Sequence, residues 1–364
     1  MMKKIQSFKQ FTPRKLRSVI AAFSLAVVII SCSVLPEKQQ FSQLSWQTFD
    51  TDFIQLAEQS SFLAAEIKSG YCDTVHEIEA EKSLGVGSSF KLYILSELAH
   101  QIADQTIPME KTAKGEEVLS WNSLLPIQQR FKSIPGGSLL FVPDNTSYTL
   151  RYFAEQMIQR SDNTATDHLL FLLGREQIEK RMLLDGHHNP QLNTPLMATR
   201  EFAVLKFLYN DNELADYLAL TTINKRAVLA KEQRGYQQLE QYFQDHGEQQ
   251  ESVRIDSIEW FANRFDMCDL LMSLHTASRQ YNMPQITEIL SLEDPLNIDR
   301  EQWIYVGFKG GSELGVLAGN WLLQREDGRL FVLSFALNNE PRAIDTEAVI
   351  TVLQSAVQLL GQTP

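Results

Sequence analysis

"LGVGSSFKLYILSELAH", Leu84 to His100, sets a serine preceded by glycines three residues ahead of a lysine, at the point where a helix begins. The glycines stop before Ser88, and apolar residues follow at Leu92, Ile94, Leu95, Leu98 and Ala99. This spacing predicts a helix whose first turn carries Ser88 and Lys91 on one face. A serine hydroxyl is a poor nucleophile until a base takes its proton, and a lysine is such a base only where burial and neighbouring positive charge lower its pKa. Alone, the S-x-x-K spacing equally describes a capped helix with a solvated lysine.

Two later stretches bear on the choice. "IQRSDNTATDHLLFLLG" places Ser161, Asp162 and Asn163 between helical segments, where the same residues also serve as helix N-caps. "VGFKGGSELGVLAGNW" places Lys309, Gly310 and Gly311 at the end of a β-rich run, where a turn beside an edge lysine is the plain reading. In this order the three resemble the S-x-x-K, S-D-N and K-x-G set of class A β-lactamases and penicillin-binding proteins. The layout around them is similar as well, from about Phe49 to Leu360.

That resemblance implies that Ser88 is the acylated nucleophile and Lys91 its proton acceptor or relay. Ser161 would pass a proton to the leaving atom, Asn163 would hold a substrate side-chain amide, and Lys309 would supply positive charge. The oxyanion hole would be the backbone N–H groups of Ser88 and Ser312, with Gly311 beside them on the substrate-binding strand. Such donors stabilise charge that exists only in the transition state.

Two departures from the family pattern stand out. Gly310 replaces the usual Thr or Ser, which removes a hydroxyl worth about 1–3 kcal/mol toward a substrate carboxylate, although Ser312 lies close enough in sequence to compensate. In class A β-lactamases the loop after S-D-N carries E-P-x-L-N, whose glutamate activates the water that releases the acyl-enzyme. Here "HNPQLNTPLMATRE" matches at Pro190, Leu192 and Asn193, and then at Thr194, Pro195, Met197, Ala198 and Thr199 for the helix start that follows, but Asn189 stands where the glutamate would be. A neutral amide does not take a proton from water as a carboxylate does. Glu201 is the nearest carboxylate, and it reads as a first-turn helix residue.

Around this core, 364 residues with 44% hydrophobic and 21% charged suffice for a large folded domain. Residues 1–31 differ in kind: six lysines and arginines precede "VIAAFSLAVVII", a run with the features of an export signal and too short to span a bilayer comfortably. The run ends at Ile29, Ile30, Ser31 and Cys32, which resembles a bacterial lipobox with Cys32 as the lipidated residue and membrane anchor. Removing residues 1–31 moves the formal net charge from −12 to −18, a balance that repels phosphate backbones and excludes nucleic acid as a partner. Cys72 and Cys268 then remain, to pair or to stay as buried thiols; the sequence leaves both open.

The expected organisation is an export signal over 1–31, a polar tether over 32–48, and a serine hydrolase domain over 49–364. The domain is expected to be mixed α/β (α+β) and β-lactamase/transpeptidase-like. It would have an antiparallel sheet built from both chain ends, flanked by helices, plus a helical lobe with a long insert over about 203–302. No H-E-x-x-H or C-x-x-C pattern suggests a metal, no phosphate loop is present, and the expected cofactor is none. The function these features imply is an exported, periplasmic or cell-surface bacterial serine hydrolase, acylated at Ser88 by a β-lactam, ester or peptidoglycan-like substrate, with altered deacylation. The alternatives are a cell-envelope esterase or peptidase, and a penicillin-binding sink or sensor without turnover.

Overall fold

The computed structural model describes residues 44–104, 118–134, 136–246, 252–339 and 343–364. The expected export signal, Cys32 and most of the expected tether lie outside the described residues. Chain order is α1 (Trp46–Phe53), β1 (Gln59–Lys68), β2 (Tyr71–Ile78), β3 (Leu84–Gly85), α2 (Lys91–Asp104), β4 (Leu124–Pro126), β5 (Ser147–Thr149), α3 (Leu150–Gln159), α4 (Asn163–Leu173) and α5 (Arg175–Leu184). There follow α6 (Thr199–Ala203), α7 (Asp211–Leu218), α8 (Thr222–Lys231), α9 (Tyr236–His246), β6 (Phe261–Ala262), α10 (Arg264–Gln280), α11 (Pro284–Leu290), β7 (Trp303–Glu313), β8 (Val316–Arg325), β9 (Leu330–Asn338) and α12 (Thr346–Gly361).

The main sheet is antiparallel with strand order β2-β1-β9-β8-β7, so both chain ends contribute to it, as expected. Successive residues alternate faces. On β9, Phe331, Leu333, Phe335 and Leu337 pack with Phe53, Phe62, Trp303 and the α12 residues Val349 and Leu353. Val332 and Ala336 face the other core, with Leu63 of β1 and Leu270 and Leu271 of α10. Because helices cover both faces, β9 reads as a continuous apolar run rather than an alternating one. Each such side chain contributes about 1.5–3 kcal/mol by leaving water.

Local chemistry shifts several expected boundaries. The Ser45 hydroxyl accepts from Thr48 N at 3.2 Å, so α1 starts inside the segment expected as tether. The helix ends at Phe53. The 203–302 insert is not one unit. A satellite core of Val204, Leu205, Leu214, Tyr217, Leu229 and Leu239 holds α7 to α9 and the π turn Val204–Leu208, whereas α10 and α11 belong to the central core. Cys72 of β2 and Cys268 of α10 form a disulfide, which joins the sheet to the helical lobe. Among the described residues no helix is long and apolar enough to cross a membrane.

Candidate active site

Ser88 lies in a 3-10 turn, Gly87–Phe90, which leads directly into α2; the Lys91 N–H donates to the carbonyls of Ser88 and Ser89. Nucleophile candidate and base candidate therefore share one turn, as the spacing predicted. Ser88 is half-buried, and Lys91 is wholly buried. The Lys91 ammonium donates to the Ser161 carbonyl at 2.6 Å, to Ser161 Oγ at 3.1 Å and to Asn163 Oδ1 at 2.7 Å. From the opposite wall, Lys309 Nζ donates to the same Ser161 Oγ at 3.1 Å and to the Gly310 carbonyl at 2.6 Å.

Ser161 has φ of 53°, in the left-handed region that serine enters at a cost of order 1–3 kcal/mol. Its neighbour fixes it there. The buried Asp162 carboxylate caps α4 by accepting from Ala165 N at 2.8 Å, and its second oxygen accepts from Leu139 N at 3.0 Å. A Cβ at Gly137 would fall 2.2 Å from that second oxygen, so only glycine admits the loop there.

Burial lowers both lysines, and Lys309 also acts on Lys91. Burial, and then the positive charge of Lys309, push Lys91 well below the ordinary lysine range, against the smaller opposing pull of Asp162 and Asp167. Burial brings Lys309 down to about 7, with Glu293 acting in the other direction. A neutral Lys91 amine at neutral pH is the form a general base requires.

The backbone geometry at β7 corrects one expectation. "KGGSE" is not a strand end followed by a turn: β7 continues through Glu313, pairing Gly310 with Gly319, Gly311 with Ala318 and Ser312 with Leu317. A Cβ at Gly311 would lie 2.0 Å from the Val86 carbonyl oxygen and 2.5 Å from Ser88 N, and one at Gly87 would lie 3.1 Å from Ser312 N. The glycines thus permit close approach of two backbones, which brings the N–H groups of Ser88 and Ser312 to one end of the site. Under the turn, Asn320 Nδ2 donates to Ser89 Oγ at 2.9 Å and to the Lys309 carbonyl at 3.2 Å. Asn320 itself accepts from Ser334 Oγ at 2.7 Å, and Arg264 donates to Ser334 at 3.2 Å. Sequence reasoning missed this buried chain because its members are far apart and follow no fixed spacing.

The structure does not bring Asn189 into the network. Its N–H donates to His187 Nδ1 at 3.1 Å, and its side-chain oxygen accepts from the exposed Gln191 at 3.2 Å. Asn193, by contrast, brackets β6 by accepting from Phe261 N and donating to the Phe261 carbonyl, both at 2.8 Å. The stretch Thr194–Ala198 that resembled a helix start precedes a helix of only five residues, α6. The element laid beside the nucleophile's strand comes from farther along: β6 pairs with β3, and Val86 N donates to the Trp260 carbonyl at 2.8 Å. Glu201 is the structural residue expected, held by Arg175 at 2.7 and 2.9 Å and accepting from Ala198 N at 2.8 Å. The hydrogen bonds of the Lys91 and Lys309 ammonium groups among the described residues go to Ser161, Asn163 and Gly310, and none goes to a carboxylate. No cluster of histidine, cysteine and carboxylate side chains among the described residues is arranged to hold a metal ion.

The profile of the beta-lactamase enzyme family matches residues 53–236. The chain belongs to that family. Solved structures agree on the fold of this family member at low sequence identity. PBP-A is 13% identical with a TM-score of 0.55, over 91% of this chain and 100% of that one. A point mutant of PBP-A, solved as an acyl-enzyme complex with penicillin G, is 14% identical with a TM-score of 0.54 over the same shares. A beta-lactamase from Sphaerobacter thermophilus DSM 20745 is 15% identical with a TM-score of 0.57, over 88% of this chain and 99% of that one. No curated protein matches the chain in sequence.

Proposed function

We propose that this beta-lactamase family member is an exported active-site serine hydrolase that is acylated at Ser88 and releases the acyl group slowly. The observation that carries the reading is the convergence of two buried lysine Nζ atoms on Ser161 Oγ, one of them a single helical turn from Ser88. Lys91, held neutral, takes the Ser88 proton as Oγ attacks the carbonyl carbon of a strained amide or an ester. The oxyanion forms against the N–H groups of Ser88 and Ser312. As the carbon–nitrogen or carbon–oxygen bond breaks, Ser161 gives its proton to the leaving atom and recovers one from the lysines beside it. Atoms balance as acyl-Ser88 plus the protonated leaving group.

Release needs a water and a base for its proton. Asn189 offers neither a carboxylate nor contact with the lysines, which favours a long-lived acyl-enzyme over rapid β-lactam turnover. A sink or sensor for penicillin-like compounds is thus the second reading, and an envelope esterase the third. The acyl-enzyme complex of a PBP-A point mutant with penicillin G, on a similar fold, supports the acylation step. Export and a lipid anchor at Cys32 are part of the proposal; the Cys72–Cys268 disulfide supports an oxidising compartment.

The test is intact-mass spectrometry of the protein mixed with a chromogenic cephalosporin, followed in time beside absorbance. The expected result is one burst and a lasting adduct mapping to Ser88, absent in Ser88→Ala. An unmodified Ser88 in folded protein, with β-lactams and small esters alike, overturns the acylation reading. Steady turnover without a lasting adduct overturns slow release.

A further inference from the structure

Three charged side chains outside the acylation network meet beneath the end of β7. Glu259 precedes β6 and is 1% exposed; Lys206, in the π turn, is 2% exposed. Glu313 is the last residue of β7 and the one after Ser312. The Lys206 ammonium pairs with the Glu313 carboxylate and donates to the Ile258 carbonyl at 3.3 Å. Glu259 Oε1 accepts from Trp260 N at 2.8 Å, while its Oε2 is buried without a donor. On its other side Glu259 Cγ lies 2.6 Å from where a Cβ on Gly85 would stand, three residues before Ser88.

Two ionised carboxylates and one ammonium would leave a net negative charge around the buried Glu259 and Lys206, with the Glu313 carboxylate partly exposed at the rim. The arrangement is relieved if Glu259 keeps its proton, because the orphan oxygen then becomes a donor toward Glu313 and the cluster is neutral. Burial, and then the Glu313 charge, raise Glu259 well above the usual carboxylate range, consistent with that state. The charged groups that act on Glu259 are Glu313 and Lys206; from β3 and β9 its surroundings are Gly85 and Asn338, neither of which titrates.

We propose that Glu259, Glu313 and Lys206 form a clamp, a carboxyl–carboxylate pair closed by an ammonium, that positions the Gly311–Ser312 end of β7 against Val86–Ser88 and so fixes the two oxyanion N–H groups. The clamp spans the place where the two backbones touch: Glu313 adjoins Ser312, and Glu259 packs on the strand that delivers Ser88. All three are positioning residues. The inference rests on the reading of Ser88 as the acylated group, but the clamp itself is measurable without it.

The experiment compares the full chain with its Glu259→Ala and Glu259→Gln variants across pH 5 to 9, by amide hydrogen exchange in peptides covering 309–316 and 84–90 and by acylation rate with a chromogenic cephalosporin. Glu259→Ala is expected to speed exchange in both peptides and to lower the acylation rate constant by on the order of tenfold or more, with apparent binding little changed. Glu259→Gln keeps a donor toward Glu313, so it restores protection and rate at neutral pH. It is also expected to remove the loss of protection predicted for the wild type where rising pH takes the shared proton. Unchanged exchange in Glu259→Ala overturns the proposal, as does a Glu259→Gln protein indistinguishable from Glu259→Ala. A wild type that no probe acylates overturns the reading of Ser88, while the exchange data still decide the clamp.

Discussion

At the scale of single residues, the site depends on how far burial moves two lysines. Lys309 is brought down to about 7, so the cation facing Ser161 is lost as pH rises through that value, and the acylation rate is expected to fall on the alkaline side of about pH 7. Lys309→Met should lower the rate by on the order of 10²-fold and abolish that limb, which a burst-rate profile from pH 5 to 9 checks. The linkage to stability has the opposite sense. A lysine depressed in the folded state contributes stability that is fully present above the ordinary lysine value of about 10.4 and is lost as pH falls through the folded value. Melting temperature should therefore gain from Lys309 between pH 7 and 10, and Lys309→Met should flatten that gain. Ser88, Lys91, Ser161, Asn163 and Lys309 were legible in sequence because each sits in a short contiguous motif. Glu259 and Asn320 were not: a lone acid or amide gains meaning only from the chain folded over it.

At the scale of elements, the contact of β7 with the turn Gly87–Phe90 sets the proposed oxyanion site, and it was the element most misread from sequence. "KGGSE" carries the residues of a turn, yet Gly311 is needed inside a strand because the Val86 carbonyl leaves no room for a side chain. Glycine in a strand signals close approach as often as a turn, and sequence alone does not separate the two. Gly311→Ala would place a methyl group 2.0 Å from a backbone oxygen and 2.5 Å from Ser88 N, so one strand must move. The expected outcome is a fall in acylation rate of about 10²–10³, the usual cost of losing one oxyanion donor, with substrate affinity less affected. A Gly311→Ala protein with wild-type rate would show that these two N–H groups do not form the hole. The segment 194–258 was harder still to place. The helix start matched at Thr194–Thr199 does open a helix at Thr199, whereas the pairing of β6 with β3, set by backbone hydrogen bonds, had no signal in the sequence.

At the scale of the molecule, the site lies where the sheet meets the helical lobe, and α10 packs against both. Its N-terminal Arg264 reaches Ser334, and through Asn320 reaches Ser89 beside Ser88. One turn later Cys268 is bonded to Cys72 on the sheet's edge strand, across 196 residues of sequence. A crosslink of that span acts mainly by restricting the unfolded chain, and is worth about 2–4 kcal/mol. The paired Cys72→Ser and Cys268→Ser variant should therefore melt lower by on the order of 5–10 °C. Neither cysteine touches Ser88, Lys91, Ser161 or Lys309, so the acylation rate of the protein that remains folded at 25 °C should stay within about twofold of wild type. Calorimetry beside the burst assay tests both halves. A large loss of rate with an unchanged melting temperature would instead mean that the disulfide sets the position of α10, and through Arg264 and Asn320 the nucleophile's turn, rather than the stability of the whole.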